Sequence, residues 1–179
     1  MSGHIFKAEL PDLQAWAAGQ MVRAPDFVIG DNYLRRWWIL PRNNYLNIYL
    51  HEFRRSDDDR ALHDHPWPST SFIIEGGYLE HTPEGVFKRK AGDVVGREAE
   101  AMHRVELFKS GSGESPAVSL FVTGSKVREW GFDCAQGWVS WMDFTNSEHP
   151  GQVGRGCGEP SDPTAVTPRG EAPKREVTV

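Results

Sequence analysis

Along the chain the apolar residues change period once. In "LPDLQAWAAGQMV", residues 10–22, Leu13, Trp16, Ala17 and Met21 recur at helical spacing, and Pro11 takes a first-turn position where its missing N–H is no loss. This predicts a short amphipathic helix that packs on something larger. From Tyr33 the period becomes two: "YLRRWWIL", a turn at residues 41–44, then "YLNIYLHEF". In that last run Leu46, Ile48 and Leu50 share one face, while Tyr45, Asn47, Tyr49, His51 and Phe53 share the other. A polar and aromatic face of this kind is suited to lining a cavity.

"RRSDDDRA" reads as a loop, because three consecutive aspartates repel one another and are expensive to bury. Short strand candidates follow between turn signals: "STSFIIE" before Gly76 and Gly77, "YLEHT", "VFKRK", "AMHRVEL", "AVSLFVTG" and "GWVSWMDF". Many short strands with Gly and Pro punctuation and no alternating helices predict an all-β sandwich or barrel. No repeat of solenoid or propeller length interrupts them. From Asn146 the aromatics vanish and Gly, Pro, Ser and Thr take over, which predicts a disordered C-terminal tail. The expected organisation is a lead-in with a short helix over residues 1–32, one β domain over 33–145 and a tail over 146–179.

Composition narrows the classes of function. The chain of 179 residues suffices for one cored domain and is short for two. No apolar run approaches the roughly 18 residues of a membrane span, and Met1 to Leu10 lacks the layout of a signal peptide, so a cytoplasmic location is expected. A net charge of −5 disfavours nucleic acid as a partner, since phosphate binding needs clustered Lys and Arg. The pairs Arg35–Arg36 and Arg54–Arg55 and the run Lys88–Arg89–Lys90 read as solvated strand edges and turns. Cys134 and Cys157 form no CxxC pair and read as free thiols, which argues against a zinc ribbon or a disulfide framework.

The chemistry concentrates in "HDHPW", residues 63–67. A His-x-His in a strand only sends two imidazoles to the same face, compatible with a metal pair or with two hydrogen-bonded histidines. Two longer stretches add context. His63-Asp64-His65 is followed by Thr70 and then by Gly76 and Gly77; Gly92 opens "GDVVGREAEAMHRVEL", with Glu98, Glu100, His103 and Leu107 inside it. In this register the chain resembles the cupin superfamily, whose first motif is His-x-His, Glu and Gly, and whose second is Gly, Pro-x-Gly, His and Asn. The runs "LRRWWILPRN", "DDRALHDHPW" and "REWGF" also resemble small cupin-like proteins of bacteria and their phages.

The resemblance implies a jelly-roll barrel with His63, His65 and His103 in its mouth as metal ligands. It departs from the pattern at Thr70, where a carboxylate ligand is usual, at Glu98 and Glu100 in place of Pro and Gly, and at Leu107 in place of Asn. Three imidazoles with open positions are similar to the ferrous site of thiol dioxygenases. Fe(II) is therefore the favoured cofactor, with Zn, Mn, Ni or Co as alternatives, and a small organic acid or thiol is the expected substrate. The competing readings are a small-ligand-binding module without catalysis and a redox-neutral isomerase or epimerase. None of the seven histidines has an Asp two residues later, which disfavours the 2-oxoglutarate oxygenases.

Around the ligands, Tyr49, His51 and Arg60 are the catalytic candidates. His51 would orient a ligand or move a proton, against a plain hydrogen-bonded strand histidine; Arg60 would anchor a substrate carboxylate, against a salt bridge to Asp57, Asp58 or Asp59. Asp64 should face away from its neighbours, as a structural or surface charge, and Glu75 should be an exposed turn-side residue. Trp67 either covers the cavity mouth or packs in the core. Arg128, Glu129 and Trp130 form a polar and aromatic knot without an assigned place. His81 and His149 fall in a turn and in the tail and receive no role. Exposed aromatic strands and the habit of the family admit a homodimer.

Overall fold

The computed structural model describes residues 9–57, 61–111, 113–146 and 154–158. The helical spacing before Tyr33 forms α1 (Leu10–Met21), with Pro11 in its first turn and Ala17 buried. The period-two segments form β1 (Phe27–Ile29), β2 (Leu34–Trp38), β3 (Asn47–Phe53), β4 (Leu62–His63), β5 (Ser69–Glu75), β6 (Gly77–Thr82) and β7 (Gly85–Lys90). They continue as β8 (Val94–Arg97), β9 (Arg104–Leu107), β10 (Lys109–Ser110), β11 (Gly113–Glu114), β12 (Ala117–Thr123), β13 (Gly131–Cys134) and β14 (Gly137–Ser140), before a single turn of helix, α2 (Trp141–Phe144). No described helix is long and apolar enough to cross a membrane.

Six strands form one sheet in the order β1-β2-β3-β12-β5-β8, antiparallel throughout. Facing it are two three-stranded pieces, β7-β6-β9 and β14-β13-β4. An isolated antiparallel bridge between His63 and His103 joins them, with N–H to O distances of 2.8 and 2.9 Å in the two directions. The chain alternates between the two layers, which is the jelly roll expected of the sequence. Strand β1 lies inside the stretch read as lead-in, so the sheet begins before residue 33.

Alternation along the strands divides the core into two faces. Trp37, Leu50, Ile74 and Val118 turn to the outer face of the six-stranded sheet, where Ala17, Leu13 and Trp16 of α1 cover them. The Gln14 side-chain amide adds a 3.0 Å hydrogen bond to the carbonyl of Ile74. The alternate residues turn inward: Phe53, Ile73 and Ala117 meet Tyr78, Val105 and Leu107 of the opposing layer. Between β5 and β6 the chain reverses through Gly76, at φ 66°, where a Cβ would lie 2.5 Å from the Pro116 carbonyl oxygen.

Four expectations are corrected. The cysteines are not free: Cys134 and Cys157 form a disulfide, with Cα atoms 5.4 Å apart. Residues 154–158, read as tail, fold back so that the N–H groups of Gly154 and Gly156 both reach the Phe144 carbonyl at 3.0 Å. Cys157 thereby packs beside Ala61, Phe132, Cys134 and Phe144. Most of the predicted tail, His149 included, lies outside the described residues. The strand expected over "GWVSWMDF" ends at Ser140, whose hydroxyl accepts the Met142 N–H and caps α2. His81 lies within β6 rather than in a turn and pairs with Glu106 at 2.7 Å.

Candidate metal centre

The bridge between the half-sheets places the histidines. His63 at the end of β4 and His103 just before β9 are cross-strand partners. His65 is held by its N–H to the carbonyl of Ala99 at 3.0 Å, in the connection that leads to His103. One ring nitrogen from each of the three lies within 4.8 Å of the others. The Nε2 atoms of His65 and His103 are 3.4 Å apart. Two nitrogens bound to one ion at about 2.0–2.1 Å sit roughly 3.0–3.4 Å from each other, so this pair already has the spacing of ligands. The three predicted ligands therefore converge, and as a donor set they fit a divalent ion.

The surroundings set the protonation of the rings. Burial holds His65 and His103 well below the ordinary imidazole range, helped by the neighbouring histidines; His63 is also held down by burial, opposed by Asp57 and Asp64. All three are neutral near pH 7, the state a metal requires. Nδ1 of His103 faces the Ala101 carbonyl at 3.3 Å, and Nδ1 of His63 is 3.8 Å from the Asp57 carboxylate. A proton on each Nδ1 leaves Nε2 with the lone pair, the arrangement by which outer partners orient metal-binding histidines.

Asp57 is therefore part of the site, although the run of aspartates reads as a solvated loop. Its carboxylate accepts the Tyr33 hydroxyl and, at 2.6 Å, the N–H of Val105, so two donors offset its burial. Burial and the adjacent Asp57 push the Tyr33 hydroxyl well up, which keeps its proton in place. Asp64 points to the other side of β4, as alternation requires, and is wholly buried rather than a surface charge. It accepts the Gly131 N–H at 2.7 Å and the Trp138 Nε1–H at 3.0 Å, and pairs with Arg128. This locates the "REWGF" segment: Arg128 ties it to Asp64, and Trp130 sets its ring edge-on at 6.4 Å from His63.

Beside the histidines is a cavity of about 100 Å³. Pockets for drug-sized ligands run to roughly 300–1,000 Å³, so this one suits an ion with a small molecule. Its walls include His51 and Phe53 from β3, Ser71 from β5, Tyr78 from β6, Ser119 and Phe121 from β12, and Trp67. Thr70 is not among them: it turns outward and is exposed, while Ser71 occupies the inward position. The place of the usual carboxylate ligand is thus taken by a serine one residue further along. A larger groove of about 380 Å³, lined by Thr70, Glu98 and Val122, contains no histidine.

Of the other candidates, His51 is buried in the cavity wall, stacked between Tyr49 and Phe121 at 5.8 and 5.0 Å. Its Nε2 accepts from Nε of Arg36 at 2.8 Å. Burial, then Arg36, holds it well below the ordinary imidazole value. Tyr49 is a buried residue that stacks on His51, with the Arg36 guanidinium 4.6 Å from its ring centroid. Arg60 lies outside the described residues. Glu75 is exposed at the end of β5, as expected.

Two cavity residues escaped the sequence reading. Arg97, from β8, has only 6% of its side chain exposed and pairs with the buried Glu80 from Nε at 2.6 Å, and its Nη1 donates to Ser71 Oγ at 3.0 Å. Glu80 also accepts from Arg89 at 2.6 Å, so Arg89 is not a plain solvated edge residue. Arg36 lines the cavity while its neighbour Arg35 turns outward to Glu52 at 3.4 Å. The signal was alternation itself: in a strand, two adjacent arginines cannot both face solvent when one face is buried.

No protein-family model matches the chain, and no curated protein matches it. The solved structures to which it is similar include a cupin protein and a double-stranded β-helix protein. One is a conserved protein with a double-stranded beta-helix domain from Klebsiella pneumoniae, 19% identical, covering 73% of this chain and 97% of that one, with a TM-score of 0.44. A cupin superfamily protein from Desulfitobacterium hafniense is 14% identical over 56% of this chain and 84% of its own, with a TM-score of 0.43. The DMSP lyase DddQ from Ruegeria pomeroyi is 14% identical over 66% of this chain and 64% of its own, with a TM-score of 0.49.

Proposed function

We propose that the chain is a metal-dependent enzyme in which His63, His65 and His103 hold one divalent ion, with ferrous iron favoured, and that a small organic acid or thiol is its substrate. The observation that supports this reading is the donor set: three neutral imidazoles converge at a small cavity, and no carboxylate belongs to the cluster among the described residues. Neutral ligands leave the ion its full double charge and open positions, which favours direct binding of an anionic substrate. Ferrous iron at such a site supplies activation of O₂ toward that substrate.

The chain's own contribution is position and enclosure. The Ala101 carbonyl orients the His103 ring and its tautomer, and the Asp57 carboxylate, 3.8 Å from Nδ1 of His63, favours a proton on that nitrogen. Phe121, Tyr78, Val105 and Trp67 line the space beside the histidines with largely apolar surface, and the low dielectric there strengthens charge interactions inside it. His51 accepts from Arg36 and is held neutral, so it acts as a positioning residue at neutral pH. The test is elemental analysis of the full chain purified without chelator or added metal, followed by oxygen-uptake assays with thiols and small acids. About one iron per chain, lost in His63→Ala and His103→Ala, with uptake that follows the iron, is the expected result. Zinc or no metal would overturn the oxygenase reading and favour a ligand-binding module.

A further inference from the structure

The six-stranded sheet brings two arginines to the cavity, and only one has a counter-charge. Arg97 is neutralised by Glu80. Arg36 enters from β2 and gives one N–H, from Nε, to the neutral His51. Its guanidinium rests over the Tyr49 ring, and among the described residues no carboxylate pairs with it. A guanidinium carries five N–H donors in a planar fork, so four remain beyond the bond to His51. Burial pushes Arg36 down to about 10, still far above neutral pH, so the charge persists. A half-buried cation without an anion is costly, and an incoming anion relieves that cost.

A second wall residue points the same way. Trp67 stacks on His65 at 6.3 Å and lines the same cavity, yet its buried indole Nε1 has no acceptor among the described residues. Native proteins seldom leave such a donor unmet, and one that lines a cavity is commonly met by what binds there. An orphaned cation and an orphaned N–H both call for oxygen acceptors on the ligand. A carboxylate supplies two, in the plane that matches the arginine fork, and is small enough for about 100 Å³.

We propose that Arg36 is the carboxylate anchor of this cavity and the Trp67 N–H its second donor, so that the ligand is a small monocarboxylate rather than a neutral thiol, alcohol or amide. The assignment rests on the cavity being the substrate site, but not on the presence of metal. It is tested on the full-length chain, freed of metal, by following backbone amide shifts during titration with propionate and with propionamide. Removing the metal matters, because a bound ion would itself prefer the anion.

Propionate should bind at least about tenfold more tightly than propionamide. Arg36→Gln should bring the two within about twofold, Arg36→Lys should keep part of the preference, and Trp67→Phe should weaken propionate about three- to tenfold and propionamide, whose carbonyl accepts the same N–H without charge, by less. Equal binding of the pair by the parent overturns the proposal, and so does a preference that survives Arg36→Gln. Should Arg36→Gln fail to fold, the parent comparison and Arg36→Lys still decide. A chain that takes up no metal yet keeps an Arg36-dependent preference would refute the metal reading and leave the anchor standing. A chain that loads iron but shows no preference would do the reverse.

Discussion

Asp64 separates two of the proposed metal ligands in sequence while its carboxylate holds a different part of the molecule. Replacing it with alanine removes the acceptor of the Gly131 N–H, the Trp138 indole and Arg128 at once. The Gly131 N–H is buried, so losing its charged acceptor costs about 1.5–3 kcal/mol. Trp138 and Arg128 are partly exposed and can turn to solvent, which limits each to about 1 kcal/mol. The sum, roughly 4 kcal/mol, agrees with the ~3–5 kcal/mol typical of breaking a buried pair. For a domain of this size that is a fall in melting temperature of roughly 10 °C. Urea unfolding should show a lower midpoint with an unchanged slope, and Asp64→Asn, which keeps one acceptor oxygen, about half the loss. Because His63 and His65 flank the residue, metal affinity should fall about tenfold in the alanine variant. A stability loss below about 1 kcal/mol for Asp64→Ala would refute the argument.

Cys157→Ser opens a loop with a sequence separation of 23 and should remove about 3.4 kcal/mol on the chain-entropy model, read by guanidinium unfolding with and without reductant. The parent should fall to the variant's level in reductant, and a parent indifferent to reductant would exclude the bond. Trp67→Phe removes an unpaired donor, so the variant should unfold at or slightly above the parent's urea midpoint even as carboxylate binding weakens; a loss above about 1 kcal/mol would mean the indole N–H has a partner. The metal-free chain should lose stability as pH falls below about 6.5. Burial holds His51, His63, His65 and His103 below that ordinary imidazole value, so the unfolded chain binds protons that the fold refuses. Stability from these groups is complete above the unfolded value, and denaturant midpoints that stay flat from pH 7.5 to 5.5 would contradict it.

Elements whose periodicity is local were readable without coordinates. The helix around Ala17 and the alternation that sends Leu50 outward and His51 inward follow from spacing, and the convergence of three histidines is what the cupin resemblance implied. What escaped depends on contacts between distant segments. Asp57 looks solvated in a run of aspartates, and only Tyr33 and Val105, far away in sequence, explain its burial. Thr70 and Ser71 exchange roles because a motif register leaves one residue of slack, while a strand allows none. Arg36 reads as surface because arginine usually is, and Arg97 carries no signal at all; the destination of both is set by which layer faces which. Cys157 lies in a segment whose composition reads as tail, and its partner is found only after Gly154 and Gly156 close on Phe144.

The layer opposite the six-stranded sheet is two pieces, bridged at the residue pair His63 and His103. A few main-chain hydrogen bonds close this seam, two within the pair and one each from the N–H groups of Asp57 and His65 beside it, and the side chains of that same pair are two of the three imidazoles. An ion held there would work as a rivet across the gap. Its binding free energy would also act to keep the wall shut, about 2.7 kcal/mol at a free concentration one hundred times the dissociation constant. Metal loading should then slow hydrogen exchange at β4 and β9 more than at β3 and β12, which already lie inside a continuous sheet. In this molecule the door to the reaction chamber and the latch of the fold would be one object.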